Sequence, residues 1–181
     1  MLHLKNITAG NPKTAEQYQM TKQHGITWLF SEDDKNWYEE QKNFASDTIK
    51  MVYTGDGRVV WVGKDVTGIE PRNASVIEVP DITANRRITV PGYWFYRNDE
   101  FVFDYKLKAE DERDALLKQV SIMTSEWEKD LLLGLISDED REKLKAYRIY
   151  AKSLQAMDFS TIADKTSYNA IEWPVSPEAS S

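Results

Sequence analysis

Two apolar periods divide the chain near residue 106. Before that point, apolar side chains tend to alternate between frequent turn signals; after it they recur every third or fourth residue. Ile49, Met51 and Tyr53 share one face of an extended segment, which is strand spacing. Gly55-Asp56-Gly57 follows and leads into Arg58–Val62, so two strands joined by an Asp-Gly turn predict a hairpin. Ile26–Phe30 is β-branched and aromatic and predicts another strand, as does Ala74–Val79, which Pro80 stops. Ile88–Val90, Tyr93–Tyr96 and Phe101–Tyr105 are expected as short strands separated by Pro91-Gly92 and Asn98-Asp99. Residues 12–23 have a weak helical pattern ended by Gly25, and Trp37-Tyr38-Glu39-Glu40 opens a further short element.

Beyond residue 106, Leu116, Val120, Met123, Trp127 and Leu131 lie on one helical face. Acidic residues at 110–112 suit the positive end of a helix dipole, and Gly134 suits a helix stop. Ser137 followed by Asp140 resembles a capping box and predicts a second helix over about 138–157. Its apolar stripe is Leu144, Tyr147, Ala151 and Leu154, with Tyr150 and Met157 beside it. The short link predicts an antiparallel pair. From Asp158 the period is lost; Ile171-Glu172-Trp173-Pro174 is an apolar island whose Trp173 is expected to dock on the helices, and Ser176–Ser181 are expected to fray. The fold class is α+β: a mostly antiparallel β domain over 1–105, then an antiparallel helical hairpin with an extended tail over 106–181.

Composition narrows the chemistry. The chain has 181 residues, no cysteine and a net charge of −7. Disulfides, thiolate nucleophiles and cysteine-zinc sites are therefore excluded. Residues 1–105 hold 12 basic against 15 acidic side chains and residues 106–181 hold 11 against 15, so neither part presents the clustered cations a phosphate backbone needs. Nucleic acid is not an expected partner. No apolar run approaches the roughly 20 residues of a membrane helix, and the first residues lack a signal-peptide core, so the expected site of synthesis and action is the cytoplasm. The two histidines, His3 and His24, stand in unrelated contexts, and no phosphate loop, nucleophile elbow or His-Glu-x-x-His pattern occurs. Asp33-Asp34 reads as a polar turn and Asp138-Glu139-Asp140 as a helix start, so no metal, cofactor or catalytic residue is expected.

Several segments resemble one family when taken in order. Leu135-Ile-Ser-Asp-Glu-Asp-Arg-Glu-Lys-Leu144 leads into Lys145-Ala-Tyr-Arg-Ile-Tyr150, then Leu154, Met157-Asp158 and a closing Ile171-Glu-Trp-Pro174. Upstream stand Val79-Pro-Asp-Ile-Thr-Ala-Asn-Arg-Arg87, Gly92-Tyr-Trp94, His3-Leu-Lys-Asn6 and Gly10-Asn-Pro-Lys-Thr14. Together they are similar to the Mu/lambda-type tail fibre assembly proteins of tailed phages. The segment Phe159–Tyr168 is longer than that family's usual link. The resemblance implies a chaperone made in the host cytoplasm. A variable N-terminal domain would bind the C-terminal region of a tail fibre protein. A helical part marked by Leu144, Tyr147, Tyr150, Leu154, Trp173 and Pro174 would support assembly and self-association. Some such proteins stay at the fibre tip on the virion.

Aromatic residues are the expected contacts, since six Trp, nine Tyr and six Phe exceed what a chain of this size needs and interfaces favour them. Trp28, Phe30, Trp37, Tyr38 and Phe44 cluster in the first domain. Trp28 and Phe30 share a strand face and equally suit core; Trp37 and Tyr38 are neighbours that a strand would point to opposite sides, leaving one exposed. Leu131–Leu135 reads as core or as a self-association patch. Two functions remain at this level, an assembly chaperone or an adhesin that holds host lipopolysaccharide through exposed aromatics.

Overall fold

The computed structural model describes residues 1–180, and they form two compact units that meet in sequence between Phe103 and Asp104. The first unit holds β1 (His3–Gly10), α1 (Ala15–His24), β2 (Trp28–Phe30), α2 (Trp37–Glu40), β3 (Ile49–Thr54), β4 (Val59–Gly63), β5 (Ala74–Val79), α3 (Thr83–Arg86), β6 (Trp94–Arg97) and β7 (Glu100–Phe103). Five strands make one antiparallel sheet in the order β2-β1-β5-β3-β4, and β6 pairs with β7 separately.

Strand alternation sends side chains to two cores. Val52, Ala74 and Val76 join Leu4, Ile7, Leu29, Trp37 and Val66 on one face of the sheet. Ile49, Met51 and Val79 join Val59, Ile88 and Trp94 on the other, where the β6–β7 hairpin packs Phe101 and Phe103. The β3–β4 hairpin forms at the Asp-Gly turn as expected. The Asn98-Asp99 break is a two-residue hairpin loop with both residues at positive φ (52° and 63°), the twist such loops require. Gly57, at φ 89°, lets β6 approach the turn: a Cβ there would lie 2.5 Å from the Tyr96 carbonyl oxygen.

Two local expectations are corrected, for Ile88–Val90 and Ser137, and two elements go beyond what the pattern predicts. The opening residues form β1, a central strand; a register shift between Leu4 and Ile7, with Asn6 at φ 48°, spaces its buried residues three apart and hides the alternation. Ile88–Val90 is not a strand; Ile88 plugs the second core from a loop. Trp37–Glu40 is a helical turn capped by the Asn36 side chain, which accepts from the Tyr38 N–H at 3.0 Å. Ser137 caps its helix by accepting from the Asp140 N–H, but its hydroxyl donates to the Asp140 carboxylate at 2.8 Å, so the reciprocal bond of a capping box is not made.

The second unit is α4 (Tyr105–Leu133), α5 (Asp138–Gln155) and a tail with the short helix α6 (Lys165–Asn169) and a final turn at Pro177–Ser180. α4 starts at Tyr105, ahead of the acidic residues at 110–112, because Asp104 caps it by accepting from the Leu107 N–H at 2.9 Å. It stops at Gly134 (φ 71°). Val120, Tyr147, Tyr150, Ala151 and Leu154 form the buried seam of the pair, and Trp127 meets Tyr147 with ring centres 5.9 Å apart, which fixes the antiparallel sense. Ser181, the end of the segment expected to fray, lies outside the described residues.

Candidate partner-binding surfaces

The aromatic residues singled out in the first unit have mostly structural positions. Trp28, Phe30 and Trp37 are buried, and Phe44 packs against the first core with its ring 6.0 Å from Trp37. Their polar atoms are satisfied internally. The Trp28 indole N–H donates to the Gln17 carbonyl at 3.1 Å and to the Thr21 hydroxyl at 2.8 Å, and that of Trp37 to the Ile69 carbonyl at 3.3 Å. A Trp held in this way is committed to the fold and keeps little area for a partner. Tyr38 is the exposed member, at 38%. It stands edge-on to Trp28 and donates its hydroxyl to the Thr27 carbonyl at 2.9 Å. The two rings line a cleft of about 480 Å³ with Met20, Ile26, Glu70 and Arg72.

A second aromatic group fastens the β6–β7 hairpin to the sheet. His3 Nε2 and the Tyr53 hydroxyl share a hydrogen bond of 2.8 Å, and Tyr96 lies against both rings, 4.8 Å from Tyr53 and 5.6 Å from His3. The Tyr96 hydroxyl donates to Asp99 at 3.1 Å. Burial, then that hydrogen-bonded carboxylate, pushes Tyr96 up to about 12. Burial, then the charge of Lys5, holds His3 below its ordinary value. A phenol kept protonated and an imidazole kept neutral make a packing joint rather than an acid–base pair. Sequence reasoning missed this group because its members are 43 to 93 residues apart, and only the sheet register and the packing of the β6–β7 hairpin bring them together.

In the second unit the signature residues are interior. Leu144, Tyr147, Tyr150 and Leu154 are buried, Trp173 packs on the same seam, and Pro174 is half-buried. The long link earns its place by bracing α4. Phe159 is buried, 5.7 Å from the Trp173 ring, with the Arg113 guanidinium over it. The Tyr168 hydroxyl donates to the Glu112 carboxylate (2.6 Å to the nearer oxygen) and accepts from Lys108 Nζ at 2.6 Å.

The surface of this unit is unusual at the α4–α5 turn. Leu132, Leu133 and Leu135 are 87%, 71% and 72% exposed, and Leu131 and Ile149 are also open. A groove of about 500 Å³ lies beside them, lined by Leu131, Leu144 and Ile149 together with Arg141, Lys145, Arg148 and Lys152. The grouping of these cations follows from helical spacing, since positions 141, 145, 148 and 152 share one stripe of α5. Three or four adjacent exposed leucines cost solvation in a free monomer and mark a contact surface. No group of acidic and histidine side chains among the described residues is arranged to hold a metal ion, and no helix there is long and apolar enough to cross a membrane.

Comparison with known proteins places this architecture. The family model described as Caudovirales tail fibre assembly protein, lambda gpK, matches residues 39–178. The tail fiber assembly protein U' of Escherichia phage Mu is 49% identical over 168 residues, covering 90% of this chain and 95% of the relative. Its namesake from Escherichia phage P1 is 47% identical with the same coverage. Tail fiber assembly protein U of phage Mu is 39% identical over 98% of this chain and 100% of its own length. A family match that crosses both units, with relatives aligned along nearly the full length, shows that the chain belongs to the Caudovirales tail fibre assembly proteins.

Proposed function

We propose that the chain is a folding helper that binds the C-terminal region of a tail fibre protein in the host cytoplasm and promotes its trimeric assembly. The work is done by binding and needs no catalytic step. The observation that carries this reading is the exposed leucine turn with the groove beside it, apolar surface left open on a well-packed helical unit. Self-association there gives the helper more than one fibre-binding arm. Several arms held together raise the effective concentration of fibre C-termini and favour one starting register over the many that a repetitive fibre allows.

Co-expression of the fibre C-terminal region with and without this chain tests the reading. Soluble fibre trimers only in its presence are expected, with copurification if it stays at the tip and without it if it leaves. Equal solubility and trimer content in both cases would overturn the proposal.

A further inference from the structure

A strand at the rim of a sheet carries a row of backbone donors and acceptors with no ladder partner, and proteins usually shorten, cover or charge such rims. The two rims of this sheet are treated differently. At the β2 rim the strand is three residues long and closed over: Phe30 is bridged to Asn36, the Ser31 N–H donates to the Lys35 carbonyl at 3.0 Å, and the Thr27 carbonyl accepts the Tyr38 hydroxyl. At the β4 rim the strand is Val59-Val60-Trp61-Val62-Gly63, with no proline and no charge within it. Its leading end is taken by the β6 hairpin, where the Tyr96 N–H donates to the Gly57 carbonyl at 2.7 Å and Arg58 is bridged to Phe95. Beyond that point β4 is the last strand of the sheet among the described residues, and Val60 is 47% exposed.

This rim is nevertheless rigidly placed. Trp61 packs into the core on one face of the sheet, and Val59 and Val62 into the core on the other. A shallow cleft of about 440 Å³ runs beside it, lined by Arg58, Val60, Val90 and Pro91. Of the two cations at the ends of the strand, Lys64 is paired with Asp81 at 2.7 Å, while Arg58 donates to the Gly92 carbonyl at 3.4 Å and keeps its charge beside the cleft. A second copy paired antiparallel about Trp61 would need the leading end of β4, which the β6 hairpin already holds. An extended segment with an apolar centre and an acidic end suits the cleft and Arg58.

We propose that the Val60–Gly63 edge is a strand-addition site that takes one extended segment of the fibre chain. Main-chain bonds extend the sheet, one apolar side chain of the segment enters the Val60–Val90–Pro91 cleft, and its acidic end meets Arg58. The inference rests on the fibre-binding reading above.

The test uses the full chain and the fibre C-terminal region. Wild type and Val60→Lys are compared in binding, with thermal melting as the check on folding, and amide hydrogen exchange is followed on the wild type with and without fibre. The expected result is a loss of about tenfold or more in affinity for Val60→Lys, and new protection of the residue 60–63 amides on fibre binding. Should Val60→Lys fail to fold, the wild-type exchange decides. Fibre binding that protects other amides and leaves these unchanged overturns the strand-addition site while the helper function stands. Failure of the wild type to bind fibre overturns both. A wild-type dimer that Val60→Lys breaks would assign the edge to a second copy and also overturn the proposal.

Discussion

Lys50 and Glu78 face each other across the β3–β5 ladder at 1% and 5% exposure. Burying two charges is costly unless each is fully bonded. The Glu78 carboxylate accepts from the Leu2 N–H at 2.9 Å, the Ala45 N–H at 2.7 Å and the Thr48 hydroxyl at 2.7 Å. Lys50 Nζ donates to the Ala45 and Thr48 carbonyls. The pair thereby ties the start of the chain and the loop before β3 to the sheet. Glu78→Ala is expected to cost about 3 kcal/mol, since it leaves three donors without their acceptor and takes the opposite charge away from a buried ammonium. Lys50→Met is expected to cost about 1 kcal/mol, because Glu78 keeps its three donors. Urea unfolding of the two variants checks the order.

The same carboxylate sets a pH dependence. Burial alone would raise Glu78, but the hydrogen bonds from Leu2, Thr48 and Ala45, with the charge of Lys50, bring it below its ordinary value of 4.5. Its contribution to stability is therefore complete above 4.5 and is lost as the pH falls through the lower folded value. His3 is also held low, from 6.5, so its neutral form favours folding and protonation below that pH opposes it. Melting temperature is expected to fall in two stages on acidification. His3→Gln should remove the upper stage and leave the lower.

In the helical unit, Tyr168→Phe deletes a hydroxyl that bonds both Lys108 and Glu112. A loss of about 1–2 kcal/mol is expected, the range for a partly buried bond to charged groups. Phe159→Ala, which empties a buried site under Arg113, should cost about 3 kcal/mol. Both are read by chemical denaturation of the full chain.

Leu132 and Leu135 touch water almost entirely in the free chain. Their replacement by Glu should leave stability within about 0.5 kcal/mol of wild type and abolish self-association. Sedimentation velocity distinguishes this from an interface elsewhere, for which the oligomer would survive the double change.

What could be read in the sequence was local, and what escaped it depended on distant neighbours. The Asp56-Gly57 turn announced its hairpin and Asn98-Asp99 marked a strand break, because the left-handed backbone of such loops admits few residue types. The stripe of α5 was equally plain, since helical spacing needs only the residues of the helix. Trp28 and Trp37 could not be separated from Tyr38 in the same way. Their burial depends on Gln17, Thr21 and Ile69, which satisfy their indole N–H groups from other elements. The leucines at 131–135 pose the opposite problem: an apolar run looks the same whether it fills a core or waits for a partner, and only the end of the α4–α5 seam tells them apart.

The strand order carries a consequence for synthesis. Of the five strands of this sheet β1 is the first to be made, yet it lies inside the sheet between β2 and β5. It can meet β2 once about thirty residues are out, but its other edge waits until Val79 has emerged. For that interval the nascent chain carries an open central strand, and the Leu2 amide that Glu78 will receive has no acceptor there. β1 is therefore flanked on both sides only on the arrival of β5, and a pause in translation shortly before Ala74 would prolong the period in which that strand is free to pair with another chain.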